Sequence, residues 1–233
     1  MRAVTTFSPK GYEQYGRKML ETYVKHWPIP IEVWYEKKPD FEHEKIIYRD
    51  IRDIEDRLLF LEKALHIKGA DGIIKDVYNW ELDSIKFCNK VFCQLETNDD
   101  MVFWVDADTV THADVPKEML SGLLEGVSYC YFGRTTWTET GFLGFNKEHL
   151  QYKALHNQYR RAYLEGIIFT MLMWTDCFAF DYARIGIQGN NLSPNGQGVQ
   201  HVIAESFLSE YIDHLKGARK IRGHSPESKV RWW

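Results

Sequence analysis

Cysteine is scarce in this 233-residue chain: only Cys88, Cys93, Cys130 and Cys177 occur, and no two form a Cys-x-x-Cys pair. That spacing excludes a zinc ribbon and a thioredoxin-type redox pair. The expectation is four free, buried thiols in a reducing cytoplasm. Long apolar runs are also missing. The longest nearly apolar stretch is Gly166 to Trp174, whereas a membrane helix needs about 18–20 residues. Met1 to Pro9 holds no apolar segment of the signal-peptide kind. These two gaps lead to an expectation of no membrane span and a cytoplasmic protein. Nor is there an excess of positive charge. Lys and Arg number 29 against 33 Asp and Glu, a net charge of −4. This argues against a general nucleic-acid coat protein and leaves room for a local basic groove.

What is present is a globular composition. Apolar residues make up 44% and aromatics 15%, too much for disorder and enough for a sizeable core. The first 35 residues spell strand, helix, strand: Ala3–Phe7, Tyr12–His26 and Ile31–Tyr35. That order suggests a parallel βαβ unit. Asp40 to Asp53 is charged and stays unassigned. Ile54–Ile67 reads as a helix with Leu58, Leu61 and Leu65 on its inner face, and Leu82–Leu95 as another. Met101–Val105 is an unbroken apolar run, as expected for a buried central strand. Val127–Phe132 and Gly141–Phe145 read as strands, and Lys147–Leu164 as a helix. Ile187–Gln200 contains Gly189, Pro194, Gly196 and Gly198, and reads as a mobile loop of the lid type. Glu205–Leu215 is a last helix or strand. The expected fold class is α/β, with a parallel nucleotide-binding half to about residue 108 and a mixed half after it.

Chemistry concentrates where the central strand ends. Asp106 and Asp108 stand one residue apart just past Val105, where open α/β sheets bind ligands. Two carboxylates so placed can share one divalent cation, and oxygen ligands suit Mg²⁺ or Mn²⁺. The competing reading is a pair of turn or cap aspartates. A second piece is His214-Leu215-Lys216-Gly217-Ala218-Arg219-Lys220. A neutral imidazole completes a metal shell, Gly217 lets the backbone approach a phosphate, and Lys220 neutralises it. Here the competing reading is a basic surface segment.

Together, Asp-x-Asp after a central strand and a later His-x-x-Gly-x-x-Lys resemble the metal-dependent glycosyltransferases of the GT-A fold. The nearest pattern is family 8, the group of glycogenin and bacterial lipopolysaccharide galactosyltransferases. Further matches follow in order. Ala3-Val4-Thr5-Thr6 resembles the first strand, whose end contacts the nucleotide. Lys90 falls where that family keeps a Lys or Arg for the donor. Thr140 to Asn146 looks like its acceptor-side strand, with Glu139 where an Asn is usual. Trp174-Thr175-Asp176 falls where an acidic residue meets the donor sugar, although Cys177 replaces the usual Gln. The chain is also similar to glycosyltransferases encoded by bacteriophages, notably at Trp174–Asp176 and Asp213–Gly217. In that setting the cytoplasm would be the host's.

The resemblance implies a GT-A-like, Rossmann-type sheet flanked by helices in a single compact domain, 1–233. Residues 1–108 would bind the nucleotide-sugar. Residues 109–233 would bind the acceptor and carry the metal- and diphosphate-binding C-terminal segment. It implies a hexosyl transfer from a UDP-sugar with Mn²⁺ or Mg²⁺ held by Asp106, Asp108 and His214. Thr5, Thr6, Phe7, Tyr12, Lys90, Asp106, Ala107, Gly217 and Lys220 would contact the donor. Asp176 would be the catalytic residue, either taking the acceptor proton or binding sugar hydroxyls; its structural alternative is a helix cap. The acceptor stays open between a hydroxymethylated base in DNA, a glycan and a protein. For DNA, Lys153, Arg160, Arg161 and the basic tail offer phosphate contacts, and Tyr159, Tyr163, Trp232 and Trp233 stacking faces. Two other functions fit the residues. Val102 to Val110 also matches the first motif of haloacid-dehalogenase-like phosphatases, with Asp106 as nucleophile, Asp108 as acid/base and Asp176 with Asp181 as the later acidic pair. A non-catalytic sugar-nucleotide-binding module is the other.

Overall fold

Side chains alternate across the sheet along Met101–Val105. Val102 and Trp104 enter one core, while Phe103 and Val105 enter another on the opposite face. A strand covered on both faces needs this unbroken apolar run. The computed structural model describes residues 1–193, 200–228 and 230–232.

Among these, the strands in chain order are β1 (Arg2–Phe7), β2 (Ile31–Tyr35), β3 (Ile46–Asp50), β4 (Ile73–Ile74), β5 (Val77–Tyr78), β6 (Met101–Val105), β7 (Thr109–Thr111), β8 (Tyr129–Phe132), β9 (Glu139–Asn146), β10 (Asn190–Asn191) and β11 (Ile212–His214). Seven form one sheet in the order β10-β8-β9-β6-β1-β2-β3. β6, β1, β2 and β3 pair in parallel. β9 runs antiparallel to both of its neighbours, β6 and β8. The expected parallel half and mixed half are therefore present, in one mixed α/β sheet with helices on its two faces. β4–β5 and β7–β11 form separate antiparallel ribbons.

The first helical segment begins one turn before the expected Tyr12. Ser8 caps it, accepting from the Gly11 N–H at 3.1 Å, and helical backbone continues to His26. The second helix, Glu55–Ala64, turns a different face inward. Phe60 and Ala64 are buried, whereas Leu58 is 47% and Leu65 75% exposed. Phe60 wins because it meets Phe92, Tyr163 and Phe169 in one aromatic cluster. The helix Ser84–Glu96 matches its expected span closely, capped by Asp83, which accepts from Lys86 N–H at 3.0 Å.

The later elements depart further. The helix expected from Lys147 starts at Tyr152. Glu205–Leu215 splits into a short 3₁₀ turn, Phe207–Glu210, and β11. The stretch from Ile187 to Ser193 is an edge of the sheet, not a free loop. Tyr129 donates its hydroxyl to the Ile187 carbonyl, and Asn191 Oδ1 accepts from the Gly133 N–H at 2.9 Å. Pro194, Gly196, Gly198, Lys229 and Trp233 lie outside the described residues. No helix among the described residues is long and apolar enough to cross a membrane.

Candidate active site

A turn at the end of β6 creates the site. Asp106 N–H donates to the Gly141 carbonyl of β9 at 2.9 Å, and Thr109 N–H closes the turn onto the Asp106 carbonyl at 3.0 Å. The chain then enters β7, which pairs with β11 so that His214 lies opposite Thr109. This ribbon carries His214 to the two aspartates. Its Nε2 lies 3.1 Å from Asp108 Oδ1 and 3.3 Å from Asp106 Oδ2. Ligand atoms of Asp106, Asp108 and His214 all fall within 4.8 Å of one another. Burial alone would lower the His214 pKa, but Asp108 and Asp106 outweigh it and raise it to about 9. Burial would raise the two carboxyls, yet Lys90 and His214 hold Asp106 well below its usual range, and His214 and Lys220 lower Asp108.

Gly141 makes room for the imidazole. A Cβ there would stand 2.2 Å from His214 Cε1. Glu139, two residues earlier on β9, is buried and binds Lys216 Nζ at 2.6 Å and Arg134 at 3.0 Å. It also accepts from the Gly141 N–H at 2.9 Å. It thereby ties the C-terminal segment and the 134–138 turn to the strand beneath His214.

Lys90 reaches the site from its helix. Its Nζ lies 2.7 Å from Asp106 Oδ1 and 2.8 Å from Asp176 Oδ2, above the Trp104 ring. Burial would lower the Lys90 pKa; the two carboxylates outweigh it and keep the ammonium charged. Asp176 opens the helix Asp176–Ala183, and Thr175 occupies the cap position. Asp176 Oδ2 also accepts from the Thr140 hydroxyl at 2.6 Å. Trp104 Nε1 donates to Asp106 Oδ1 at 2.6 Å. Both carboxylates are thus held in place by side-chain donors.

These groups line one cleft of about 1390 Å³. Thr6, Phe7, Lys90, Asp106, Ala107, Asp108, Asp176, His214, Gly217 and Lys220 are all on its wall. Thr5 and Tyr12 are placed elsewhere. Thr5 is fully buried and is not on the cleft wall. Tyr12 stacks on Phe7 and donates its hydroxyl to Asp40. Tyr15, one helical turn on, lines the cleft instead, with Lys220 Nζ 4.4 Å from its ring. Lys220 also pairs with Asp108 Oδ2 at 2.9 Å. Gly217 has φ +56° in open space, a backbone shape that favours glycine. Three cations of the basic tail are paired: Lys216 with Glu139, Lys220 with Asp108 and Arg219 with Glu227.

Sequence reasoning passed over Glu139, Thr140, Tyr15, Trp104 and Arg134 as site residues. Glu139 had one signal, its departure from the family's Asn. Cys177 is also corrected: it is half-buried and lines the cleft, while Cys88, Cys93 and Cys130 are buried as expected. Burial, with Asp176 beside it, pushes its thiol pKa up.

No protein-family model matches the sequence, and no curated protein matches it. Solved structures do. Mouse xyloside xylosyltransferase 1 aligns with 10% identity and a TM-score of 0.54, covering 82% of this chain and 84% of that one. A glycosyltransferase involved in glycosylation of the major capsid of PBCV-1 aligns with 13% identity and a TM-score of 0.48, covering 95% and 97%. The glycosyltransferase GlyE of Streptococcus pneumoniae TIGR4 aligns with 9% identity and a TM-score of 0.47, and the chain spans only 44% of its length. The fold assignment rests on the first. The chain has the GT-A-like glycosyltransferase fold, and Asp106 stands at the carboxyl end of a central strand, where open α/β sheets bind ligands.

Proposed function

We propose that the protein is a metal-dependent glycosyltransferase of the family 8 type, using a UDP-sugar and a hydroxyl acceptor. The observation that carries this reading is the convergence of Asp106, Asp108 and His214 within 4.8 Å at the end of the central strand. Two carboxylates and one imidazole form a donor set that fits Mn²⁺ or Mg²⁺. When bound there, the cation supplies positive charge against the departing diphosphate. Residues 1–108 bind the nucleotide-sugar, with Thr6, Phe7 and Tyr15 at the nucleotide end. Gly217 and Lys220 meet the diphosphate.

In the transfer, the acceptor oxygen bonds to the anomeric carbon. The bond from that carbon to the diphosphate oxygen breaks, and the diphosphate leaves with the electron pair and takes up the acceptor's proton. Asp176 Oδ2 is already engaged by Lys90 and Thr140. Among the described residues, its Oδ1 has the weak Cys177 thiol donor, at 3.7 Å. We therefore assign Asp176 to sugar-hydroxyl binding rather than to proton removal, which suits a retaining outcome. Lys90 fixes it and Asp106 as one unit. The proposed site of action is the cytoplasm, the host's if the chain is phage-encoded.

The phosphatase alternative needs Asp181 beside Asp106. Asp181 instead binds the Thr138 hydroxyl at 2.6 Å and Arg184 at 2.7 Å.

The test is thermal stabilisation by UDP-, GDP- and ADP-sugars, with and without Mn²⁺, on the native chain and Asp108→Asn. A ligand that binds only the folded state raises the melting temperature. A Mn²⁺-dependent rise with a UDP-sugar, lost in the variant, is expected. No rise with any donor overturns the reading and turns attention to phosphomonoesters.

A further inference from the structure

Two tryptophans also line the cleft. Trp80 stands in the turn Trp80–Leu82, 46% exposed, on the cleft wall. That turn is tied to the chain just before Asp176: Trp174 N–H donates to the Glu81 carbonyl at 2.7 Å. Trp137 lines the same cleft and packs on Phe178, just after Asp176, with ring centroids 6.0 Å apart. Both indoles are thus anchored to the short segment that carries Asp176. Asp71, Asp83, Thr135 and Thr136 complete this part of the wall with short polar side chains.

The charges here do not suit a polyanion. Lys90, Arg134, Lys216, Arg219 and Lys220 line the cleft, and each pairs with a carboxylate of the chain; Lys86 lines it too, with its ammonium 5.7 Å from the Phe87 ring centroid. The cleft holds more carboxylates than Lys and Arg side chains. Four of the side chains that favoured a DNA acceptor are otherwise engaged. Tyr159 and Tyr163 are fully buried. Arg160 pairs with Asp56, and Arg161 with Glu165.

We propose that Trp80 and Trp137 frame an acceptor subsite for an uncharged saccharide. This rests on the glycosyl-transfer reading and names its acceptor class. A pyranose ring has an apolar C–H face that lies flat on an indole, while its edge of hydroxyls donates to carboxylates and threonine oxygens. Trp80 and Trp137 supply the faces; Asp71 and the two threonines supply the edge. Such a pocket binds without drawing on a cation. A phosphate backbone would meet Asp71 and Asp83 at close quarters.

The test uses an array of uncharged oligosaccharides and a DNA oligonucleotide containing 5-hydroxymethylcytosine. The full chain, Trp80→Ala and Trp137→Ala are each compared. Direct binding to the array is read first, then sugar transfer with UDP-sugars and Mn²⁺, with donor-induced thermal stabilisation read in parallel. Binding and transfer to at least one uncharged saccharide are expected, with DNA inert. Each variant should weaken saccharide binding about tenfold while leaving donor-induced stabilisation in place. Transfer to the DNA with saccharides inert overturns the proposal, as does saccharide binding that both variants retain, or none in the native chain. A chain that binds the array through the tryptophans but no donor would support the subsite and sink the transfer reading alone.

Discussion

Lys90 and Asp176 form a buried ion pair, Nζ to Oδ2 at 2.8 Å, and the same ammonium binds Asp106 at 2.7 Å. One cation therefore joins a carboxylate of the proposed metal cluster to a carboxylate of the proposed sugar pocket. Replacing it strands two negative charges in a poorly solvated place. Lys90→Met should cost about 3–5 kcal/mol of folding stability, read by denaturant unfolding. A loss below about 1 kcal/mol would show that water reaches both carboxylates.

His214 keeps its position because β9 has no side chain beneath it. Gly141→Ala would push a methyl group into a ring whose nearest carbon lies 2.2 Å away. Mn²⁺ affinity, measured by calorimetry, should fall at least about tenfold. Unchanged affinity in a folded variant would remove His214 from the metal shell.

Glu139 should make stability acid-sensitive. Burial alone would raise its pKa, but Lys216, His214 and Arg134 outweigh it and bring it to about 2. Its contribution is present above the ordinary carboxylate value and is lost as the pH falls towards about 2. The stability gap between the native chain and Glu139→Gln should therefore be widest near neutrality. It should shrink as the pH falls from about 4.5 towards 2 in urea-unfolding experiments. A gap that does not depend on pH would mean the carboxylate contributes only shape.

The inward face of the Glu55–Ala64 helix can be checked by a pair of substitutions. Phe60→Ala empties a fully buried aromatic cluster and should cost about 3–5 kcal/mol. Leu65→Ser, at a position 75% exposed, should change stability by no more than about 0.5 kcal/mol. The reverse ranking by thermal unfolding would restore the leucine face as the buried one.

The parts of the fold legible in the sequence are those where one element decides its own pattern. Met101–Val105 needed no partner to be recognised, since a strand covered on both faces is apolar throughout. Asp106 and Asp108 were legible for the same reason, standing just past it. The helix Glu55–Ala64 was misread at its face because leucines and Phe60 compete for the core, and only Phe92 and Tyr163 decide between them. Tyr15 lost to Tyr12 because a π-type turn at Tyr12–Gly16 shifts the helix phase. Glu139 could not be placed from composition. Its three cationic neighbours come from the turn after β8, from β11 and from the segment beyond it.

That antiparallel β7–β11 ribbon also fixes when the site comes into being. Asp108 and His214 are 106 residues apart in sequence, and the imidazole arrives on the last strand of the chain. A growing polypeptide can lay down β1, β2, β3 and β6 and still hold two aspartates without their nitrogen partner. Closure of so long a loop comes late. The meeting of Asp106, Asp108 and His214 at this strand end is thereby reserved for chains that have finished folding.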